Sequence, residues 1–218
     1  MKYKAVIFDL DGTLLDTIDD IADSTNKALE TYGYPQFSVD EYKYFVGKGV
    51  DHLIKSVIKA GNIEEEAFVK IKEKYFEIYE KQGLINTKIY KGINELLNYL
   101  LEKKISVNIL SNKPQIQTDK VIDYYFDKNI FTLVYGKKVE FLPKPDPASA
   151  NDLVKKLGLD AKDVLYVGDT ETDIFTAKNA SFESVGVLWG FRKRTELVNA
   201  GADYIVEEPS EIVALLSR

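Results

Sequence analysis

The hydrophobic pattern of the chain has two periods. Short, continuous apolar runs rich in β-branched residues recur along it: Ala5-Val6-Ile7-Phe8, then residues 105–110, 131–135, 164–167, 184–188 and 204–206. Runs that stay apolar at every position read as strands buried on both faces, as in a parallel sheet. Between most of them, apolar residues return at helical spacing. Ile93, Leu96, Leu97, Leu100 and Leu101 make one such face, and Leu153, Val154 and Leu157, stopped by Gly158, make another. Ile174, Ala177 and Ala180 suggest a third, and Ile212, Val213, Leu215 and Leu216 a fourth. Strands alternating with helices predict an α/β fold with a mostly parallel sheet.

Residues 16–87 break the alternation and show no convincing strand. Ile18, Ile21, Ala22, Thr25, Ala28, Leu29 and Tyr32 share one helical face that ends at Gly33. Ser38-Val39-Asp40-Glu41 is a capping-box pattern opening a short helix. Val50, Leu53, Ile54, Val57 and Ile58 form a third face ended by Gly61, and Phe68, Ile71, Tyr75, Ile78 and Tyr79 a fourth ended by Gly83. An all-helical insert between the first strand and the rest of the sheet is expected. It gives two units: residues 1–15 with 88–218, and residues 16–87.

Composition narrows the chemistry. The 218 residues include no Cys and one His, His52. That excludes disulfides, thiolate nucleophiles, and Cys-ligated zinc or iron–sulfur centres. Catalytic groups are then expected among the carboxylates. The formal net charge of −6 disfavours nucleic acid as a partner. The apolar stretch behind Lys2 and Lys4 stops at Asp9, too short for a secretory signal, and no segment approaches membrane-spanning length. A cytoplasmic protein is the default expectation. Residues 16–87 hold 9 Lys plus Arg against 14 Asp plus Glu, so most of the net charge lies in the insert.

The chemistry-bearing residues follow the strands. Asp9-Leu10-Asp11-Gly12-Thr13 directly follows the first run, where two carboxylates two residues apart leave on the same side and Gly12 permits a sharp turn. In open parallel sheets, sites form beyond the carboxyl ends of the strands. The run 105–110 leads into Ser111-Asn112-Lys113, and 164–167 into Gly168-Asp169-Thr170-Glu171-Thr172-Asp173. Lys144-Pro145-Asp146-Pro147 lies ahead of the helix preceding the latter strand. Each alone reads as a turn, a helix cap or a solvated lysine. All four in this order, on these elements, are a much rarer coincidence.

In that combination the chain resembles the phosphatase branch of the haloacid dehalogenase superfamily, over essentially its whole length. Its helical insert matches the position of the family's cap domain. Phe45-Val46-Gly47-Lys48-Gly49 and the tail Trp189-Gly190-Phe191-Arg192 through Glu208-Pro209 are most similar to phosphoglycolate phosphatases and their pyrophosphatase relatives. The resemblance implies a Rossmann-like three-layer core with an inserted helical cap, a small phosphorylated metabolite as substrate, and Mg²⁺ as cofactor.

It also implies roles. Asp9 would be the nucleophile, giving an aspartyl-phosphate, and needs no helper base because a carboxylate is ionised at neutral pH. Asp9 and Asp169 would ligate Mg²⁺, with Asp11 through its main-chain carbonyl and Asp173 as an outer or additional carboxylate. The side chain of Asp11 would protonate the leaving group and then deprotonate water. The dehalogenase branch lacks this second Asp. Ser111 and the amide of Asn112 would bind phosphoryl oxygens, Lys144 would add positive charge, and Thr13 would orient the nucleophile loop. In the insert, Gly47-Lys48-Gly49 reads either as a substrate-specificity loop over the site or as an ordinary interhelical turn. His52 reads as a surface residue, Arg192-Lys193-Arg194 as a solvated loop, and the aromatic residues of 68–79 as cap core. Tyr90 and Ser181 depart from the family pattern outside the proposed chemistry. The alternatives on the same core are a broad-specificity phosphatase, nucleotidase or pyrophosphatase, a β-phosphoglucomutase-type phosphotransferase, and a non-catalytic metabolite-sensing protein.

Overall fold

β1 (Ala5–Phe8) is the central strand of the main sheet, and its four residues are wholly buried. Val6 and Phe8 point into one apolar layer and Ala5 and Ile7 into the opposite one. This two-sided burial is why the run shows no polar alternation. The computed structural model describes residues 2–217, with Lys128 described in its backbone only. Among these residues the main sheet has six parallel strands in the order β5-β4-β1-β6-β7-β8: β4 (Ser106–Pro114), β5 (Leu133–Lys137), β6 (Val164–Gly168), β7 (Glu183–Val187) and β8 (Tyr204–Val206). The chain runs outward from β1 on both sides, so the carboxyl ends of β1, β4 and β6 frame a topological switch point.

Helices cover both faces. Ile93, Leu96, Leu97 and Leu100 of α5 (Ile93–Glu102), Val121 and Ile122 of α6 (Gln115–Tyr125), and Ile212 and Leu216 of α10 (Pro209–Leu216) pack against one face. Ala150, Leu153 and Val154 of α7 (Ala148–Leu157) and Ala177 of α8 (Glu171–Asn179) pack against the other. Gly158 ends α7 in the left-handed conformation expected of a C-cap glycine. α9 (Arg194–Ala200) closes the edge over Ile174. The expected α/β core with a mostly parallel sheet is therefore present. Strand limits shift slightly. β5 starts two residues later than the apolar run because Phe131 instead packs edge-on against Phe126.

The insert forms four helices: α1 (Ile18–Thr31), α2 (Val39–Phe45), α3 (Val50–Ala60) and α4 (Phe68–Gln82). Ser38 and Glu41 make the reciprocal capping box at α2. Leu29, Tyr42, Ile54, Val57 and Ile71 build a separate apolar cluster, joined by Phe191 from the loop after β7. The sequence showed no strand near the junctions, yet β2 (Leu15–Asp16) and β3 (Lys88–Ile89) pair there as an antiparallel ribbon. Two residues each are too few for a period-2 pattern to register. Beside this ribbon the buried Asp20 carboxylate accepts bonds from the backbone amides of Asn86 and Thr87 and from the Thr87 hydroxyl. It ties together the two segments that connect cap and core. No helix of the described residues is long and apolar enough to cross a membrane.

Candidate active site

Asp9 leaves β1 at its carboxyl end, its amide bonded to Val167 O of β6 at 2.9 Å. The loop that follows turns through Gly12, whose φ of +90° favours glycine. Space demands glycine as well. A Cβ on Gly12 would lie 2.4 Å from Asp169 Oδ2, and one on Gly190 would lie 2.3 Å from Asp169 Cβ. Two glycines from distant parts of the chain thus let the Asp169 carboxylate sit against the loop that follows Asp9.

Asp9, Asp169 and Asp173 are all buried, and one carboxylate oxygen from each lies within 4.8 Å of the other two. Asp169 accepts from the Thr13 hydroxyl at 3.0 Å and the Phe191 amide at 2.8 Å. Asp173 caps α8, accepting from the amide and hydroxyl of Thr170. Its other oxygen receives Lys144 Nζ at 2.6 Å. Lys144 Nζ also meets Leu110 O at 3.0 Å and Tyr166 Oη at 3.1 Å. It stands 3.0 Å from Asp9 Oδ1, but off the hydrogen-bonding direction, so that buried oxygen has no hydrogen-bond partner among the described residues.

Three buried carboxylates face one buried ammonium. Burial pushes the Asp9 carboxyl up to about 7, with Asp173 and Asp11 adding to the rise and Lys144 opposing it. Burial, Asp173 and Asp9 drive Asp169 well above the carboxylate range. Burial would lower the Lys144 pKa, but Asp173 and Asp9 outweigh it and hold the amine well above its ordinary value. The cluster therefore has more negative charge than its protein partners offset. Hard divalent cations take such all-oxygen sets. The residues present fit a magnesium ion.

Asp11 turns away from this cluster. Its two oxygens receive Lys113 Nζ at 3.1 and 3.2 Å, and the lysine side chain is 5% exposed. Asp9, Asp11, Ser111, Asn112 and Lys113 line a cavity of about 50 Å³ roofed by Val46, Gly47, Gly49, Tyr75 and Tyr79 of the cap. The cavity accommodates several waters, one of which needs roughly 10–15 Å³, and so suits a small metabolite.

The expected site residues divide into three groups. Asp9, Asp11, Ser111 and Asn112 reach the cavity, and so do Gly47 and Gly49. Asp169, Asp173, Lys144 and Thr13 stand behind it. Thr13 donates to Asp169 rather than to Asp9. The Asn112 side chain links three segments, donating to Gly47 O and Lys144 O and accepting from the Lys144 amide. Lys48 does not line the cavity and pairs with Glu171 at 3.2 Å. Two readings need correction. Arg192 is buried rather than solvated: it donates to Lys43 O and to Val46 O, the latter at 3.1 Å, at the carboxyl end of α2. Tyr75 and Tyr79 are cap core but also roof the site. His52 is half-buried, its Nδ1 3.2 Å from Phe45 O, outside the cavity lining. Lys113 was missed. Its one sequence signal was a cation directly after Ser111-Asn112 at a strand end.

Comparison with known proteins agrees with this geometry. The family model described as haloacid dehalogenase-like hydrolase matches residues 6–187. A phosphoglycolate phosphatase of Vibrio cholerae is 30% identical over 95% of this chain and 94% of its own. One of Aquifex aeolicus is 30% identical over 99% and 97%. The crystal structure of a predicted phosphoglycolate phosphatase from Haemophilus somnus superposes with a TM-score of 0.94 at 26% identity, covering 99% of both chains. With its family model matched from β1 through β7 and its carboxylates gathered where that fold places its chemistry, the chain belongs to the haloacid dehalogenase-like hydrolases.

Proposed function

We propose that the protein is a Mg²⁺-dependent phosphatase of a small phosphate monoester, with 2-phosphoglycolate as the first substrate to test. One observation carries the reading. The buried carboxylates of Asp9, Asp169 and Asp173 gather around one ammonium beside a small cavity whose wall holds Asp9, Asp11 and Ser111. Buried like charges in excess of their counter-charge are costly unless a cation meets them.

In the proposed reaction, an Asp9 oxygen attacks phosphorus and the bond from phosphorus to the ester oxygen breaks. Asp11, which must take up a proton before the attack, gives it to the departing oxygen. An aspartyl-phosphate remains on Asp9. Asp11, now ionised, takes a proton from water as that water attacks phosphorus, which frees Asp9 and releases inorganic phosphate. Lys144 keeps a positive charge beside Asp9 throughout, and the Ser111 hydroxyl is placed to donate to the phosphoryl oxygens. Magnesium, held by Asp9, Asp169 and Asp173, would supply the positive charge that lets a dianion approach carboxylates. The small cavity and the 30% identical phosphoglycolate phosphatases favour a short substrate.

Phosphate release from a panel of 2-phosphoglycolate, pyrophosphate, nucleotides and sugar phosphates tests this. Turnover of 2-phosphoglycolate above the rest, silenced by EDTA and restored by Mg²⁺, is expected. Release from no ester would refute the reading, and isomerised product without phosphate release would assign a mutase instead.

A further inference from the structure

Lys113 and Tyr79 are two polar side chains of the cavity without a part in the steps above. Lys113 stands at the end of β4 in the core, and Tyr79 on α4 of the cap. Both are buried, and Lys113 Nζ lies 4.8 Å from the centre of the Tyr79 ring. The Tyr79 hydroxyl has no hydrogen-bond partner among the described residues. Buried tyrosine hydroxyls ordinarily find one. Lys113 Nζ is held 3.1 and 3.2 Å from the two Asp11 oxygens at the cavity wall. The cavity thus brings an ammonium and a tyrosine hydroxyl together among Ile21, Val46, Leu53 and Tyr75.

We infer that Lys113 Nζ and Tyr79 Oη form a subsite for a second anionic group of the substrate, a carboxylate one carbon beyond the ester oxygen. The inference rests on the phosphatase reading and specifies what that site selects. Position supports it. Lys113 touches Asp11, the group that must reach the ester oxygen, so its ammonium lies within about two hydrogen-bond lengths of that oxygen, roughly 6 Å at most. A carboxylate on the adjacent carbon falls inside that reach. Lysine supplies a point charge and tyrosine a donor, and a carboxylate can accept both. A neutral alkyl group would leave both without a ligand partner. Because the two residues come from core and cap, the subsite is complete only with the cap seated as here.

Binding of two non-hydrolysable phosphonates separates this from a positioning role for Lys113. 3-Phosphonopropionate carries the carboxylate, and propylphosphonate replaces it with a methyl group. In the presence of Mg²⁺, wild type is expected to bind the first roughly 10- to 100-fold more tightly, the usual range for charge-assisted hydrogen bonds. Lys113→Met should erase that preference, read as the ratio of the two affinities. Lys113→Arg should keep part of it. Tyr79→Phe removes one oxygen from an otherwise unchanged ring and should lower the preference roughly 3- to 10-fold; it decides the matter should Lys113→Met fail to fold. Equal affinity of wild type for both phosphonates, or equal losses for both in the variants, overturns the subsite even if esters are hydrolysed. A carboxylate preference that needs Lys113, in a protein releasing phosphate from no ester, would instead sink the phosphatase reading and leave the subsite standing.

Discussion

Asp9 and Asp11 leave the same strand two residues apart and enter opposite surroundings. Asp9 joins a polar cluster with too much negative charge, formed by loops that follow β1 and β6 and by Lys144. Asp11 joins a balanced pair with Lys113 under an aromatic roof from α4. In the proposed reaction the first environment would hold the cation and the phosphate, whatever the alcohol. The second would meet the rest of the substrate, under a roof that the cap shapes. The proposal thus divides reaction and selection between the two faces of one five-residue loop, Asp9 to Thr13.

Substitution of each aspartate tests that division. Asp9→Asn removes the proposed nucleophile and should cut phosphate release by roughly 10⁴-fold or more for every ester. The folded state should be preserved, since the change also removes a buried charge. Steady-state assays alongside circular dichroism check this; activity within tenfold of wild type would rule out a covalent role for Asp9. Asp11→Asn should cost less, roughly 10²- to 10⁴-fold on alkyl phosphates. Read on the first step alone, as leaving group released in a single turnover, the loss should shrink for p-nitrophenyl phosphate, whose leaving group needs no proton. An equal first-step loss for both ester types would mean that Asp11 is not the acid.

The smallest effect is on stability, and its sign follows from the raised carboxyl pKa values. Between about 4, the ordinary carboxylate value, and about 7 for Asp9, the folded chain keeps protons that the unfolded chain has lost. Asp169 shifts in the same direction. Stability of the metal-free protein should therefore fall as pH rises through that window. Exposed carboxylates with lowered pKa, such as Asp40, Glu41 and Glu77, titrate below it. Mg²⁺ competes with these protons, so its stabilising effect should grow with pH. Thermal melts in EDTA should drop several degrees, roughly 3–10 °C, from pH 5 to pH 8. Mg²⁺ should flatten that slope, as should Asp9→Asn in part. A metal-free melting point that rises with pH would contradict the over-charged cluster.

The reaction face was far more legible in the sequence than the selecting face. Asp9 and Asp169 directly follow strands, and Ser111 follows the apolar part of β4, so the unbroken apolar runs left by two-sided burial and the polar residues behind them stood out. The order β5-β4-β1-β6-β7-β8 was not readable, because the register between parallel neighbours is set across the sheet rather than along the chain. Lys113 was hidden for a related reason. Its partner Asp11 is 102 residues away, and an isolated lysine after a strand ordinarily sits in solvent. The periodicity of Tyr75 and Tyr79 placed them in the cap core, which is true, but residues shared by a core and a site carry one pattern for two tasks. Arg192 was misread because its acceptors are backbone carbonyls at the end of α2, which leave no trace in side-chain composition.

The ribbon between β2 and β3 bears on how such a molecule can diversify. Asp16 and Lys88 are direct partners across it, so the chain leaves the core and returns at neighbouring points. Antiparallel partners sit about 5 Å apart, a gap that a short hairpin turn could bridge as well as the present four helices do. The entropy of closing a loop grows only with the logarithm of its length, so the core is nearly indifferent to what hangs from that doorway. Exchange of the whole insert would alter the roof over Asp11 and leave untouched the strands that aim Asp9 and Asp169. New substrate preferences can thus arise by grafting, without rebuilding the machinery of phosphoryl transfer.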